Sequence, residues 1–353
     1  MLGGLEQNRE DSMLSRRHVL AGAIAAPALL KASRGQAAQT LKISHQFPGG
    51  TIDEGDFRDR LCRKFAQEIS KRTNGALVGE VYPNASLMKT NAQFSAMRKG
   101  ALDMSFYPMP YAGGELQELN IGLMPCLVSS YSQGAAWKNA EVGRELTKLL
   151  GEKGIVMVSW VWQAGGCVSR AQKLVGPEDA KGQKVRGGSR EMDMMFKQAG
   201  ASVISMPSNE VYAAMQTGAA DAAVTSSTSL ISFRLEELSK HLTAGRGKSY
   251  WFMCEPLMMS KAVFDALPKD QQNAVMEVGA SLEAFGTEAA RADDETVIKV
   301  YKAKGAEVHD LDDAVLAKWR DLARESAWKD YAAKSETNAR LIKLAVEVSE
   351  KNA

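Results

Sequence analysis

The apolar residues of this chain switch period repeatedly, and that alternation limits the folds open to it. Leu41, Ile43, His45 and Phe47 fall on every second position, then Phe57, Leu61, Phe65 and Ile69 on every fourth. A period of two marks a half-buried strand, and one near 3.6 marks an amphipathic helix. The switch recurs: a strand over 76–82 closed by Pro83-Asn84, a helix over 90–99 with a Ser/Thr-type cap and Gly100 after it, a strand over 103–107, a helix over 133–150 and a strand over 155–162. From Gln163 a second unit follows the same rule, with strands at 183–186, 202–206 and 220–226 and helices at 191–198 and 208–217, the last capped by Ser208 or Asn209. This spacing predicts an α/β fold with mostly parallel pairing. Residues 269–304 carry one long helical pattern, approaching ~50 Å at 1.5 Å per residue. Gly279 and Gly286 lie inside it, so the alternative is two helices parted near Gly286. A last helix is predicted over 335–349.

The start of the chain reads as an export signal. Ser15-Arg16-Arg17-His18-Val19-Leu20 heads an apolar run to Leu30, and Ala37-Ala38 follow a short polar stretch. Basic region, short apolar region and small residues at a cleavage point are the anatomy of a signal peptide over 1–38. The paired arginines resemble a twin-arginine (Tat) signal, with Val19 in place of the usual Phe; an ordinary Sec signal is the alternative. The run is far shorter than the ~20 residues that span a bilayer, so no direct membrane insertion is expected. The chain holds 44 basic and 42 acidic residues; without the five basic and three acidic ones in the signal, 39 of each remain. A balanced surface gives no footprint for nucleic acid. Cys62, Cys126, Cys167 and Cys254 are widely spaced. They are either free buried thiols or disulfide partners that the sequence does not pair.

Arg186 is the residue with the clearest chemistry. It ends the short strand Gln183-Lys184-Val185-Arg186 just before Gly187-Gly188. Open α/β sheets place ligands at the C-terminal ends of their strands. A guanidinium there offers paired donors to a carboxylate or sulfonate.

The surrounding residues carry a family resemblance. Pro177, Asp179, Lys181-Gly182, Lys184 and Arg186, then Gly200-Ala201, then Met206-Pro207-Ser208-Asn209-Glu210-Val211-Tyr212 through Gln216-Thr217-Gly218 to Asp221 closely resemble the core of DctP-type solute-binding proteins. Weaker matches, such as Pro83-Asn84-Ala85-Ser86-Leu87 and Leu267-Pro268-Lys269, extend the resemblance over nearly all of the chain after the signal. The family serves TRAP transporters, the tripartite ATP-independent periplasmic systems. The resemblance implies a two-domain periplasmic binding protein fold, with a ligand cleft between the domains and a long helix spanning both. It implies that Arg186 grips the carboxylate of the bound solute, its side chain pointing into a wet cleft rather than a core. Domain I is then expected over 39–162 plus 254–288, and domain II over 163–253 plus 289–353.

The departures from the family pattern bear on the ligand. Many members have a second Arg about twenty residues before the first; Gly166 stands there. Gln163-Ala164-Gly165-Gly166 instead resembles the Gln-x-Gly-Gly of some keto-acid binders. Thr225 takes the place of a ligand-contacting Asn, and Val224 replaces a polar residue. The expected ligand is a small organic acid anion, with a monoanion favoured over a dicarboxylate or sugar acid. Beside Arg186, the candidate ligand contacts are Thr225, Gln163, Tyr107, Asn209 and Trp251. Gln163 either bonds a ligand oxygen or satisfies loop backbone. Tyr107 either faces the cleft or packs, and the clusters Trp160/Trp162 and Tyr250/Trp251 are either core or cleft lining.

Enzyme readings find little support. His45, His241 and His309 stand at no metal-ligand spacing, and there is no nucleophile elbow, P-loop or cofactor-type cysteine pattern. No metal or cofactor is expected. The expectation is a periplasmic receptor, not an enzyme, that delivers its solute to the membrane subunits of a TRAP transporter. A binding protein for an ABC importer is the alternative, and a Tat-exported enzyme a more distant one.

Overall fold

Residues 38–246 and 248–352 are described from a computed structural model. The signal peptide and its twin arginines lie outside the described residues. The period-two runs form strands that are shorter than their patterns. In chain order the strands, of which β5 and β9 to β12 were not foreseen, are β1 (Gln39–Ser44), β2 (Leu77–Tyr82), β3 (Met104–Phe106), β4 (Ile155–Met157), β5 (Trp162–Ser169), β6 (Lys184–Arg186), β7 (Ser202–Val203), β8 (Ala222–Ser226), β9 (His241–Ala244), β10 (Phe252–Cys254), β11 (Leu257–Ser260) and β12 (Glu307–Asp310).

They form two sheets, as the α/β expectation requires. The first has the order β2-β1-β3-β11-β4, and the second β12-β9-β5-β8-β6-β7 with β10 beside the start of β5. Pairing is only half parallel, which corrects the expectation of mostly parallel sheets. β11 runs antiparallel to β3 and β4, and β5 runs antiparallel to β8, β9 and β10. These are the strands that enter each sheet directly from the other, so no crossover helix turns them round.

In the first sheet Leu41 and Ile43 are fully buried against Leu61, Phe65 and Ile69 of the helix Phe57–Arg72. Asp56 caps that helix through the Arg58 N–H at 2.9 Å. The second sheet is covered on both faces. Val185, Val224 and Cys167 meet the helix Arg190–Gln198 through Met192 and Phe196. Val168 and Ala223 meet Val297 and Tyr301.

The long helical pattern forms two helices, Lys269–Ser281 and Glu283–Ala303, parted at Leu282 and not at Gly286. The Ser281 hydroxyl donates to the Val278 carbonyl at 2.8 Å, and the Leu282 N–H turns to Gly279 O at 3.3 Å. A side chain has taken the acceptor that the next α-turn needed. Ala290 still packs with the core of the first sheet, while Val297 and Tyr301 pack with that of the second. The pattern over 133–150 also divides, into Tyr131–Trp137 and Glu141–Glu152. The cap expected at the helix Thr90–Arg98 is absent: Lys89 takes that place with no side-chain bond, and Gly100 follows with φ 71° as expected. The last helix, Glu336–Lys351, is capped by Ser335 through the Asn338 N–H at 3.1 Å.

Two connections between the sheets run side by side. Val158 and Ser159 donate to Leu257 O at 2.8 and 3.2 Å, Glu255 donates to Val161 O at 2.8 Å, and the Leu257 N–H reaches Ser159 Oγ at 3.2 Å. All four cysteines are free and buried. Among the described residues no helix is long and apolar enough to cross a membrane. At the edge of the second sheet, β12 sets Glu307 beside His241 and His309 beside Thr243. The two histidines without metal-ligand spacing in sequence therefore meet a carboxylate in space.

Candidate anion-binding site

The motif residues first build a scaffold. Asp179 accepts the N–H groups of Val175 and Gly176 at 2.9 and 3.0 Å, and so shapes the turn that leads to β6. Asp221 accepts the Lys184 N–H at 2.9 Å and pins β6 to the start of β8. β6 then ends at Gly187-Gly188, with Gly188 at φ 94°. A Cβ on Gly188 would lie 2.8 Å from Arg186 Nη1, so glycine there leaves room for the guanidinium.

Arg186 is 1% exposed, which corrects the expectation of a side chain in a wet cleft. Its Nε and Nη2 donate to Met206 O at 3.1 and 2.9 Å, and its Nη1 to Val224 O at 2.8 Å. Nη2 also donates to Tyr111 Oη at 2.8 Å, and that oxygen accepts the Ser208 N–H at 3.0 Å. Neutral oxygens surround the cation, and among the described residues no carboxylate forms an ion pair with it. Asp193 stands near enough to feel its charge, but burial pushes the Asp193 carboxyl up despite Ser205, the Gly187 N–H and Arg186. A buried charge without a counter-charge is costly, and buried charges are normally paired.

Arg58 shows the usual solution. It is equally buried, yet it pairs with Asp56 at 2.6 Å and Glu255 at 3.4 Å. It also donates to Ser226 and Ser229 at 3.3 and 3.0 Å, and lies 3.6 Å over the Phe47 ring. Burial lifts Glu255 to about 7, with Arg58 opposing and Asp56 adding to the rise.

The candidate contacts divide. Thr225 is buried on β8 opposite Gly166, two residues beyond Ala223, the register partner of Arg186; the two side chains therefore share a face of the sheet. Tyr107 is buried with its hydroxyl unpartnered, stacked on Phe94 and edge-on to Tyr111 at 6.2 Å. Gln163 donates its Nε2 to Glu255 and leaves Oε1 without a partner. Trp251 lies on the other face, where its ring covers Gly165 and packs with Cys167, Val185 and Val224 in the core. Asn209 is exposed, and its neighbour Ser208 turns inward instead. Tyr111 was not among the candidates. It sits in a short helical turn behind Pro108-Met109-Pro110, where no hydrophobic period marks a direction; an aromatic directly after two prolines that follow a strand is the one available signal.

Gly166 explains the missing second arginine. A Cβ there would stand 2.4 Å from Thr243 O, so β5 admits no side chain at that position as β9 now lies.

Residues 53–335 match the family described as DctP, bacterial extracellular solute-binding protein, family 7. A solute-binding protein of Albidiferax ferrireducens is 66% identical over 305 residues, covering 86% of this chain and 90% of that one. The crystal structure of a TRAP periplasmic solute-binding protein from Rhodoferax ferrireducens with bound malonate superposes with a TM-score of 0.87 at 65% identity, over 88% of this chain and 99% of that one. The C4-dicarboxylate-binding periplasmic protein DctP of Rhodobacter capsulatus is 26% identical over 316 residues, covering 88% of this chain and 92% of its own. The two sheets are thus those of a two-domain TRAP binding protein, and the chain belongs to the DctP family of bacterial extracellular solute-binding proteins.

Proposed function

We propose that this chain is the solute receptor of a TRAP transporter, capturing a small organic acid anion at Arg186 and delivering it to the membrane subunits. The observation that carries this reading is the buried guanidinium of Arg186, held among the described residues only by neutral oxygens while the equally buried Arg58 has two carboxylates. A bound carboxylate supplies the missing charge. Tyr111, the unpartnered Tyr107 hydroxyl and Thr225 would complete its surroundings, with Gln163 at the border of the Arg58 network.

The ligand class is wider than the sequence departures suggest. Malonate, held by the relative at 65% identity, is a dicarboxylate. Short dicarboxylates therefore stand beside monocarboxylates as candidates, and the preference for a monoanion loses its support. The domains are 39–162 with 254–288, and 163–253 with 289–353; each sheet draws its strands from one set except at the border pair Trp162 and Cys254, which open β5 and close β10. Within this division the helix Glu336–Lys351 packs back on elements of the first set, through Leu341 and Ile342 in the cluster of Leu119 and Leu146. The receptor works in the periplasm after export by the Tat route, and it binds without catalysing.

The test is a thermal-shift screen of mono- and dicarboxylates and sulfonates, because a ligand that binds only the folded state raises its stability. Calorimetry of the best hit follows. A hit that binds wild type but not Arg186→Ala supports the reading; turnover of the hit, or equal binding to folded Arg186→Ala, overturns it.

A further inference from the structure

We propose that His241, His309 and Glu307 form a binding site for a divalent transition-metal ion of the zinc type, which clips the edge strand β12 to β9. The register builds the site. Glu307 pairs with His241 in parallel, and His309 follows two residues along β12, so all three side chains share one face. His241 Nδ1 lies 3.4 Å from Glu307 Oε2 and 3.4 Å from His309 Nε2, and His309 Nε2 lies 3.7 Å from Glu307 Oε1. Zinc bound to nitrogen and oxygen at ~2.0–2.1 Å in a tetrahedron holds its ligands about 3.4 Å apart. The two nitrogens already stand one such edge apart, and each lies near that distance from one carboxylate oxygen of Glu307, His241 Nδ1 from Oε2 and His309 Nε2 from Oε1. Magnesium prefers oxygen ligands in a tighter octahedron, and two imidazoles do not suit it.

Proton placement supports the same conclusion. His241 Nε2 lies 3.2 Å from Ala171 O, which can only accept, so Nε2 carries the hydrogen. In the neutral imidazole Nδ1 is then a bare lone pair facing His309 Nε2. Such an outer hydrogen bond is what orients and fixes the tautomer of a metal-bound histidine. The two rings stack with centroids 5.6 Å apart, 28° from parallel. The histidine side chains are 18% and 16% exposed and Glu307 is 67% exposed, so an ion can enter from solvent and keep water as a fourth ligand. β12 has one neighbour in its sheet, and the ion would join the last strand to it. The competing account is a trio joined by a shared proton, with no affinity for metal.

The test is calorimetric titration of ZnCl2 into the untagged full chain, with thermal unfolding in parallel. The expected result is one ion per chain, a rise in Tm with Zn2+, and no response to Mg2+ or Ca2+. His241→Gln and His309→Gln should each weaken Zn2+ binding by at least about tenfold, the loss seen when even an outer partner of a metal ligand is removed. Glu307→Gln, at an exposed position, serves as the variant least able to disturb folding, and it should also weaken binding. All three should keep the organic-acid affinity of wild type, which separates this site from Arg186. A wild-type Zn2+ affinity weaker than about 1 mM, one-to-one binding that survives all three changes, or binding without a rise in Tm would each overturn the proposal.

Discussion

Arg186 and Arg58 differ in what surrounds them, and the difference predicts how substitutions behave. Charge-assisted hydrogen bonds contribute roughly 1.5–3 kcal/mol each. Arg186→Ala should therefore lower anion affinity by about a hundredfold or more, read by calorimetry. It also strands the carbonyls of Met206 and Val224. A fall in stability of roughly 1–3 kcal/mol is expected, where a side chain in a wet cleft would have left the fold indifferent. Arg186→Lys should recover little, since a compact ammonium cannot reproduce the planar fork that reaches Met206 O, Val224 O and Tyr111 Oη. Affinity within about threefold of wild type in folded Arg186→Ala, under ~0.7 kcal/mol, would sink the assignment. Tyr111 Oη already accepts two N–H groups, so what it has left to give is its own proton. Tyr111→Phe should cost about tenfold in affinity; a change in Tm alone would make Tyr111 only a prop for Arg186. The strand positions of Arg186, Thr225 and Tyr107 were legible, because alternation marks where strands run and end. Arg58 was not, because a charge in the first turn of a helix ordinarily faces water. Asn209 and Ser208 are equally good caps by sequence, and nothing local shows that the chain turns Ser208 inward and leaves Asn209 exposed.

The elements themselves were legible wherever the period was long and clean, as in the helix Phe57–Arg72. Breaks were not. Leu282 interrupts the long helix through a serine hydroxyl, a feature no propensity marks, while the glycines that looked like breakers have different work. A Cβ on Gly279 would stand 2.3 Å from Val158 O. Gly279→Ala should thus push the helix off the connection after β4 and cost about 1–3 kcal/mol. At Gly286 the nearest atoms are side-chain methyls of Val161 and Leu61 at 3.1 to 3.3 Å. Those can yield, and alanine gains about 1 kcal/mol of helix propensity, so Gly286→Ala should stay within about 1 kcal/mol of wild type. Chemical denaturation of the two variants checks the contrast. Equal losses would mean that both faces of the helix are packed alike. The antiparallel strands were missed for a related reason: direction in a sheet depends on where the chain comes from, and alternation within a strand is blind to it.

At the scale of the molecule, buried carboxyls set the pH response. Burial lifts Glu191 and Glu255 to about 7 and Asp294 to about 6, the last despite bonds from Ser227 and Tyr131. A folded-state pKa raised above the unfolded one means that the folded chain holds more protons in between. Stability from these groups is full below about pH 4 and is lost as pH rises through 6 to 7. Asp59 works the other way: burial raises it, but His45, Arg63 and the Gly50 N–H outweigh that and lower it, so its contribution fades in acid. Tm should be highest near pH 5 and fall by about 5 °C or more by pH 8. Calorimetry of wild type and Asp294→Asn, in which the fall should shrink, tests this; a Tm flat from pH 5 to 8 would refute it. Export is a second whole-molecule test. Arg16→Lys with Arg17→Lys should hold the precursor in the cytoplasm, and normal Sec-dependent export of that double variant would exclude the Tat route.

The paired connections between the sheets have a mechanical consequence. Val158, Ser159 and Val161 are laced to Glu255 and Leu257 by backbone bonds, with the Ser159 hydroxyl as a further stitch. Two loose tethers would let the sheets slide past one another. Laced strands behave like the spine of a book: they flex about the line of the stitching and resist displacement along it. The two halves should therefore open and shut by rotation, and the same stitched line should realign Tyr111 with Arg186 each time they close.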